Sequence, residues 1–200
     1  MGTFKIGYLI GSLASASINR TLSTALIRLA PSELEFVEIP IRDLPLYSPD
    51  FDNDYPPVAR ALKEAITASD GILFISQEYN RSIPGSLKNA IDWASRPWGT
   101  NSFARKPTGI VGASPGGIGT AVMQSSMRSV LSFLDAPQLN SPEAYVRFDP
   151  QVFGDDGEVN DPGTEQFLRH YMEEYGAFVA RVLAANAPGH IGDEDANSRR

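Results

Sequence analysis

The chain has 200 residues, 42% of them hydrophobic and 20% charged, which suits one globular domain with a sizeable buried core. Its formal net charge of −7 disfavours nucleic acid and anionic membranes as partners, because both carry charge of the same sign. It contains no cysteine, which excludes disulfides, thiolate nucleophiles and cysteine-ligated metals, so redox chemistry would require an added cofactor. No stretch has the pattern of a secretory signal or a membrane span, and we expect a cytoplasmic protein.

Apolar runs and helical patterns alternate along the chain. The predicted strands are residues 4–10, 34–39, 71–76, 108–114 and a short fifth strand at 138–140. The predicted helices are residues 17–29, 58–68, 84–94, 118–134 and 162–185. This alternation predicts an α/β fold with a five-stranded parallel sheet and helices on both faces. Right-handed crossovers and five strands favour the flavodoxin-like strand order 2-1-3-4-5.

The pattern predicts a single flavodoxin-like domain over residues 1–185. Residues 186–200 are polar and end in two arginines, so we expect a disordered tail there. In sheets of this kind a ligand binds beyond the carboxyl ends of the strands, beside the first strand. Three segments of unusual composition are predicted to meet at that place.

The loop between the first strand and the first helix is rich in small and hydroxyl side chains. It places one glycine and three serines before a helix N-terminus, where free N–H groups and the helix dipole bind phosphate without a lysine. The loop matches neither the GxxxxGK[ST] nor the GxGxxG phosphate-binding motif. Simple N-capping by Ser15 or Ser17 would account for the same composition. The candidate ligand-binding residues are Gly11, Ser12, Leu13, Ser15, Ser17, Ile18 and Asn19.

Two further turns follow the third and fourth predicted strands. A tyrosine and the backbone amides after the third strand can present edges and faces to a planar heterocycle. An ordinary polar turn would also fit, and Glu78 would then only pair with an arginine. Glycines after the fourth strand let a ligand approach the backbone, as they would in any strand-to-helix turn. The candidates are Gln77, Glu78, Tyr79, Asn80, Arg81, Ser114, Gly116 and Gly117.

At these residues the sequence resembles the NAD(P)H-dependent FMN reductase family, in the branch that contains bacterial chromate, quinone and azo-dye reductases. The resemblance covers about residues 4–185, and its most specific part is the run from Glu78 to Trp93. Two positions depart from the common pattern: Ala14 replaces an arginine that helps to bind phosphate, and Gln77 replaces a proline. The other matching segments are Gly11-Ser12-Leu13 with Ser17 and Asn19, Ser114-Pro115-Gly116-Gly117, and Phe148 to Val159.

The resemblance implies bound FMN, with its phosphate at residues 12–19 and its ring over residues 77–80, near residues 114–117. It implies an enzyme in which NADH or NADPH reduces the flavin and a second substrate takes the electrons. The implied acceptors are quinones, chromate, ferric complexes, azo compounds or free flavin. It also implies a homodimer, in some members a tetramer. The alternative is a flavodoxin-like carrier of single electrons without NAD(P)H turnover.

Arg96 and Trp98 follow the third predicted helix and are candidates for the substrate side of the site. An arginine beside the flavin would attract anionic acceptors and nicotinamide phosphates, and in a dimer this stretch could face the flavin of the other subunit. Packing of Trp93 and Trp98 at the interface beside a solvated Arg96 fits equally well. His170 and His190 are expected to be surface residues without a catalytic role. No metal site is predicted, because the loop acids are expected to be solvated: Asp52, Asp54, Asp155 and Asp156.

Overall fold

The computed structural model describes residues 2–154 and 156–187. Its strands and helices alternate along these residues as the sequence predicts, and most of their bounds lie within one or two residues of the predicted ones. The strands are β1 (Phe4–Ile10), β2 (Leu34–Glu38), β3 (Gly71–Ile75), β4 (Thr108–Ser114) and β5 (Ala144–Arg147). The helices are α1 (Ile18–Leu29), α2 (Pro57–Thr67), α3 (Gly85–Ser95), α4 (Ala121–Phe133) and α5 (Pro162–Asn186).

The strands form one sheet in the order β2-β1-β3-β4-β5, and every pair is parallel. The predicted flavodoxin-like order is therefore confirmed. Because all strands run in one direction, their ends define two edges, which we call the carboxyl edge and the amino edge. Each of helices α1, α3 and α4 begins at the carboxyl edge and returns to the amino edge.

Helices cover both faces of the sheet and give the protein two hydrophobic cores. Helices α2, α3 and α4 pack on one face, where Trp93 is fully buried together with Phe74 of the sheet. Helices α1 and α5 pack on the other face, where Tyr171 and Tyr175 are buried against Leu73. All five residues of β3 are buried, as expected for a central parallel strand with both faces covered.

The predicted fifth strand at residues 138–140 is wrong in position. Gln138 forms only an isolated bridge with Thr108, and Leu139 N donates to the Thr108 carbonyl at 2.9 Å. Pro142, which has no N–H, lies between this stretch and the true strand, Ala144–Arg147. In β5 only alternate residues are buried, because the strand lies at the edge of the sheet. A four-residue alternating run gives a weaker signal than the continuous apolar runs of the inner strands.

The carboxyl-terminal part of the chain is only partly described. Asn186 ends α5, and its side chain both donates to the Arg105 carbonyl at 2.9 Å and accepts from the Arg105 guanidinium at 3.0 Å. The rest of the predicted tail, residues 188–200 with His190, lies outside the described residues, as does Asp155. Within the described residues, no helix combines the length and apolarity that crossing a bilayer requires.

Candidate functional site

The first turn of α1 is left open to a ligand. Its N-cap, Ser17, has extended backbone angles, but the Ser17 side chain makes no capping hydrogen bond, and the first turn contains no acidic residue. The earliest intrahelical bonds run from Arg20 N and Thr21 N to the Ser17 carbonyl, at 2.9 and 3.2 Å. The N–H groups of Ile18 and Asn19 therefore precede the helical ladder. Ser17 Oγ is buried and has no hydrogen-bond partner among the described residues. Because buried polar atoms are normally hydrogen-bonded, this hydroxyl is available to a polar atom of a ligand.

The loop before α1 is fixed to the segment after β3. Gly11 N donates to the Ile75 carbonyl at 2.9 Å, and the Gly11 carbonyl accepts from Ser86 Oγ at 2.7 Å and from Gln77 Nε2 at 3.4 Å. A Cβ atom at Gly11 would lie 2.1 Å from Ser76 Oγ, so only glycine fits this close approach. The first two predicted segments therefore meet at the carboxyl edge.

Asn19 does not face this loop. Its side chain is buried, its Nδ2 donates to the Ala113 carbonyl at 3.0 Å, and its Oδ1 accepts from Ala113 N at 2.8 Å. The Nδ2 and Oδ1 atoms of Asn19, one of the candidate ligand-binding residues, thus both bond to Ala113, and the side chain is directed at β4 rather than at the open turn. Asn19 instead holds α1 against β4, and only its backbone N–H belongs to the open turn. The motif match alone could not distinguish these two roles.

Arg20 is also turned away from the loop. Its two terminal nitrogens form a bidentate pair with the Glu38 carboxylate, at 2.7 and 2.8 Å. The hydrogen bond from Arg20 lowers the pKa of Glu38 below its usual range. Arg20 is therefore paired at the end of β2 and contributes no contact to the open turn of α1.

The Glu78 side chain lies at the start of α4, although Glu78 itself belongs to the loop after β3. Its carboxylate is nearly buried, with 9% of the side chain exposed, and accepts from Val122 N at 3.1 Å and Met123 N at 2.9 Å in the first turn of α4. Arg81 approaches the same carboxylate at 3.4 Å. Glu78 thus provides an anion for the positive end of α4, which the sequence did not reveal. Beside it Gln77 is buried, and its Oε1 has no partner among the described residues.

The turn that follows Glu78 has a strained backbone. Tyr79 and Ser82 exchange backbone hydrogen bonds of 3.3 and 2.9 Å around Asn80 and Arg81, whose φ angles are 50° and 61°. Positive φ at two successive non-glycine residues costs free energy, and such strain is concentrated at ligand-binding sites. The turn presents the Tyr79 side chain with 57% of its surface exposed.

The turn between β4 and α4 completes the carboxyl edge of the site. Ser114 Oγ accepts from Gly116 N at 3.1 Å, and Gly119 N donates to the Gly116 carbonyl at 3.0 Å. Gly116 and Gly117 are both exposed. The loops after β1, β3 and β4 follow three adjacent parallel strands and lie side by side at the carboxyl edge, and we call this region the shelf. A planar ligand can lie on it with its anionic end at α1.

Arg96 and Trp98 are not part of this shelf. They follow α3, which crosses from the carboxyl edge to the amino edge, and Trp98 contacts Phe133 at the far end of α4 with ring centroids 6.4 Å apart. Lys63 fixes the stretch by donating to the Ala94, Arg96 and Thr100 carbonyls at 3.1, 2.6 and 2.7 Å. Burial lowers the pKa of Lys63. Within one chain Arg96 and Trp98 therefore lie away from the shelf, and their place on the substrate side stays a prediction for a dimer.

One residue near the shelf was missed by the sequence analysis. Arg42, which follows β2, donates through Nη2 to the Leu13 carbonyl in the loop before α1. The carboxyl ends of β1 and β2 are neighbours in the predicted sheet, so a cation just after β2 was the available signal.

The shelf fits a planar ligand with a phosphate group. The open turn of α1 and the unpartnered Ser17 Oγ suit the phosphate, and the loops after β3 and β4 suit the ring. The family model for NADPH-dependent FMN reductases matches residues 4–151. The chain belongs to this family. Membership confirms the predicted oxidoreductase activity with FMN as cofactor and NAD(P)H as co-substrate.

Relatives and solved structures agree with this assignment. A 2-hydroxy-1,4-benzoquinone reductase from a Burkholderia species is 46% identical over 175 residues, covering 88% of this chain and 96% of that protein. An NAD(P)H-dependent FMN reductase from Pseudomonas aeruginosa is 37% identical over 173 residues, covering 86% and 93%. The structure of FerB, an NAD(P)H:(acceptor) oxidoreductase from Paracoccus denitrificans, superposes with a TM-score of 0.87 at 38% identity, covering 90% of this chain and 98% of that one.

Proposed function

We propose that this member of the family holds FMN on the carboxyl-edge shelf and reduces quinones with NADH or NADPH. The observation that carries the proposal is the first turn of α1, where, within residues 2–154 and 156–187, N–H groups and the buried Ser17 hydroxyl have no partner. The phosphate would lie between residues 12 and 19, held by backbone N–H groups, Ser12 and Ser17. The ring would lie over residues 77–80, beside residues 114–117.

The protein contributes binding and orientation rather than a general base. Bound FMN supplies the two-electron chemistry that links a nicotinamide donor to a second substrate. The shelf presents backbone groups and Tyr79 to the ring, while the buried Gln77 amide offers one free oxygen to a donor on the ligand. His170 is exposed on α5. This arrangement requires no catalytic histidine.

Quinones suit the surroundings of the shelf as acceptors. Three apolar or aromatic side chains next to it are exposed: Tyr79 is 57% exposed, Ile118 50% and Val122 38%. Flat, weakly polar acceptors can stack in such surroundings without loss of charged-group hydration. Chromate, ferric complexes, azo compounds and free flavin stay secondary predictions.

A homodimer would bring Arg96 and Trp98 to the shelf of a second copy. Trp98 and Phe133 are 79% and 68% exposed at the amino edge, and Ile118 and Val122 are exposed at the other end of α4. Residues 122 and 133 lie three turns apart and share one face of the helix. Two α4 helices packed antiparallel about a two-fold axis would place Trp98 of one copy against Val122 of the other.

Sedimentation of the purified protein tests the dimer. We expect a dimer for the wild type and a monomer for Phe133→Lys, since a lysine there would be desolvated by the partner. In the dimer, Arg96→Ala should raise KM for anionic acceptors more than for neutral quinones. A monomeric wild type, or equal effects of Arg96→Ala on both acceptor classes, would remove Arg96 from the substrate site.

An absorbance spectrum under anaerobic conditions tests the main proposal. The purified protein, supplied with FMN, should show a flavin spectrum that NADH or NADPH bleaches and that benzoquinone then restores. A bound flavin that responds to neither nicotinamide would favour a carrier of single electrons. Failure to bind FMN at all would overturn the proposed site.

A further inference from the structure

We propose that Arg42 supplies the cation for the phosphate of bound FMN, from a loop distant in sequence from the phosphate-binding turn. The inference rests on the proposed function and adds a residue to its site. The loop from residue 11 to residue 17 contains no charged side chain, so its own sequence offers a phosphate only neutral donors.

Arg42 is the arginine that the fold brings onto this loop. Its Nη2 donates to the Leu13 carbonyl, which lies in the middle of the loop. The chain just before it is firmly placed: Ile39 and Ile41 are buried, and Ile39 N donates to the Tyr8 carbonyl at 2.8 Å. The backbone that leads to Arg42 is therefore fixed beside the loop, although the Arg42 side chain itself is exposed.

Most of the hydrogen-bonding capacity of Arg42 is unused. A guanidinium has five N–H donors, and among the described residues the Arg42 side chain makes one hydrogen bond and no ion pair. Its spare donors suit the oxygens of a phosphate, which arginine binds with a planar, forked geometry. Arg20, the arginine in the first turn of α1, is already paired with Glu38.

A phosphate is also what the neighbouring buried hydroxyl requires. Ser17 is 7% exposed, and its Oγ has no partner among the described residues. A ligand oxygen at the open turn of α1 would accept from Ser17, from the N–H groups of the first turn and from Arg42. The cation from the loop after β2 thereby makes up for Ala14, which leaves the loop before α1 without charge.

Ligand titration of the apoprotein with FMN and with riboflavin tests this role. Arg42→Ala should lower the affinity for FMN roughly tenfold, which is the cost of losing a charge-assisted hydrogen bond. The affinity for riboflavin should not change, because riboflavin has no phosphate. Arg60→Ala is the matched control: Arg60 is also exposed and donates to a backbone carbonyl, that of Tyr55, at 2.7 Å. It removes the same charge and should change neither affinity.

A second variant guards against a purely structural explanation. Ala14→Arg added to Arg42→Ala returns a cation to the same loop and should restore much of the FMN affinity. If Arg42→Ala weakens FMN and riboflavin equally, or only raises KM for NADPH, the assignment to the FMN phosphate is overturned. If the wild type binds FMN but Arg42→Ala binds it equally well, this inference alone fails. If the wild type does not bind FMN, the proposed function fails with it.

Discussion

Helices α1 and α4 both begin at the carboxyl edge of the sheet, yet their first turns are satisfied in different ways. The first turn of α4 receives the Glu78 carboxylate, which accepts from Val122 N and Met123 N. Of the residues that the structure describes, none places a side chain in the first turn of α1, and none bonds to its buried N-cap hydroxyl, Ser17 Oγ. One positive helix end is therefore neutralised by the protein, and the other is left for an anionic ligand.

This difference separates structural from ligand-binding helix ends on the same edge. A helix N-terminus alone is common and says little about function, because most are capped by the chain itself. Asp161 shows the ordinary case at the start of α5, where its carboxylate accepts from Thr164 N at 2.7 Å. The starts of α2 and α3 also lack a side-chain cap, so what distinguishes α1 is the buried N-cap hydroxyl that has no partner in the described part of the chain.

The largest expected effect comes from making α1 resemble α4. Ser17→Asp would place a carboxylate at the open turn, where it would repel the phosphate. We expect the affinity for FMN to fall on the order of 100-fold or more. The apoprotein should stay folded, because aspartate caps helices as well as serine does. Ser17→Ala is the control and should cost roughly tenfold through one lost hydrogen bond. A Ser17→Asp protein that purifies with full FMN would show that the phosphate lies elsewhere.

The next largest effect is expected from Asn19, whose side chain joins α1 to β4. Asn19→Ala would leave the buried N–H and carbonyl of Ala113 without partners, and we expect the free energy of unfolding to fall by about 2 kcal/mol. Urea denaturation of the apoprotein measures this change. The residual folded protein should still bind FMN more tightly than riboflavin. Unchanged stability would show that the Asn19 amide is not what holds α1 against β4.

Removal of the α4 cap should cost somewhat less. Glu78→Ala takes the carboxylate from two N–H groups in a nearly buried place, and we expect a loss of about 1.5 kcal/mol in the free energy of unfolding. Glu78→Gln keeps the shape and should recover part of it. If both variants unfold at the same urea concentration as the wild type, the Glu78 carboxylate does not stabilise α4. The comparison between a capped α4 and an uncapped α1 would then have no energetic basis.

The smallest effect concerns Arg20 and Glu38. Because the folded pKa of Glu38 is lowered, the pair adds stability above the unfolded pKa and loses it as pH falls through the folded pKa. Both side chains are partly exposed, so the contribution should be about 0.5 kcal/mol. Arg20→Gln should abolish this pH dependence and leave FMN affinity unchanged. A marked loss of FMN affinity in Arg20→Gln would make Arg20 a phosphate ligand.

Much of the fold was predictable because its signals are local. Apolar runs fix four of the five strands, and helical spacing fixes all five helices to within a few residues. The fifth strand was placed too early, because residues 138–139 do pair briefly with β4 before Pro142 interrupts the edge. Edge strands bury alternate residues only, so their positions depend on the sheet more than on their own sequence.

The sequence predicted which loops form the site, but it did not predict the role of each side chain in them. The sequence named Ser17, Gln77 and Glu78 as neighbours, yet it could not show that Glu78 faces α4. Nor could it show that Asn19 turns inward or that Arg42 reaches Leu13. These outcomes depend on contacts between residues 29 to 94 positions apart, which spacing along the chain does not encode. Nor could it show that α3 carries Arg96 to the opposite edge of its own sheet, where only a second copy of the chain could bring it to a shelf.

The central claim is that the open turn of α1 holds the phosphate of FMN, and phosphorus NMR of the FMN complex tests it most directly. A phosphate held by helix N–H groups and Arg42 should stay dianionic, so its resonance should not move between about pH 5 and pH 8, although free phosphate monoesters titrate near pH 6. The Ser17→Asp protein, loaded with excess FMN, supplies the comparison. A resonance that titrates in the wild-type complex as it does in free FMN would place the phosphate in solvent and contradict the account.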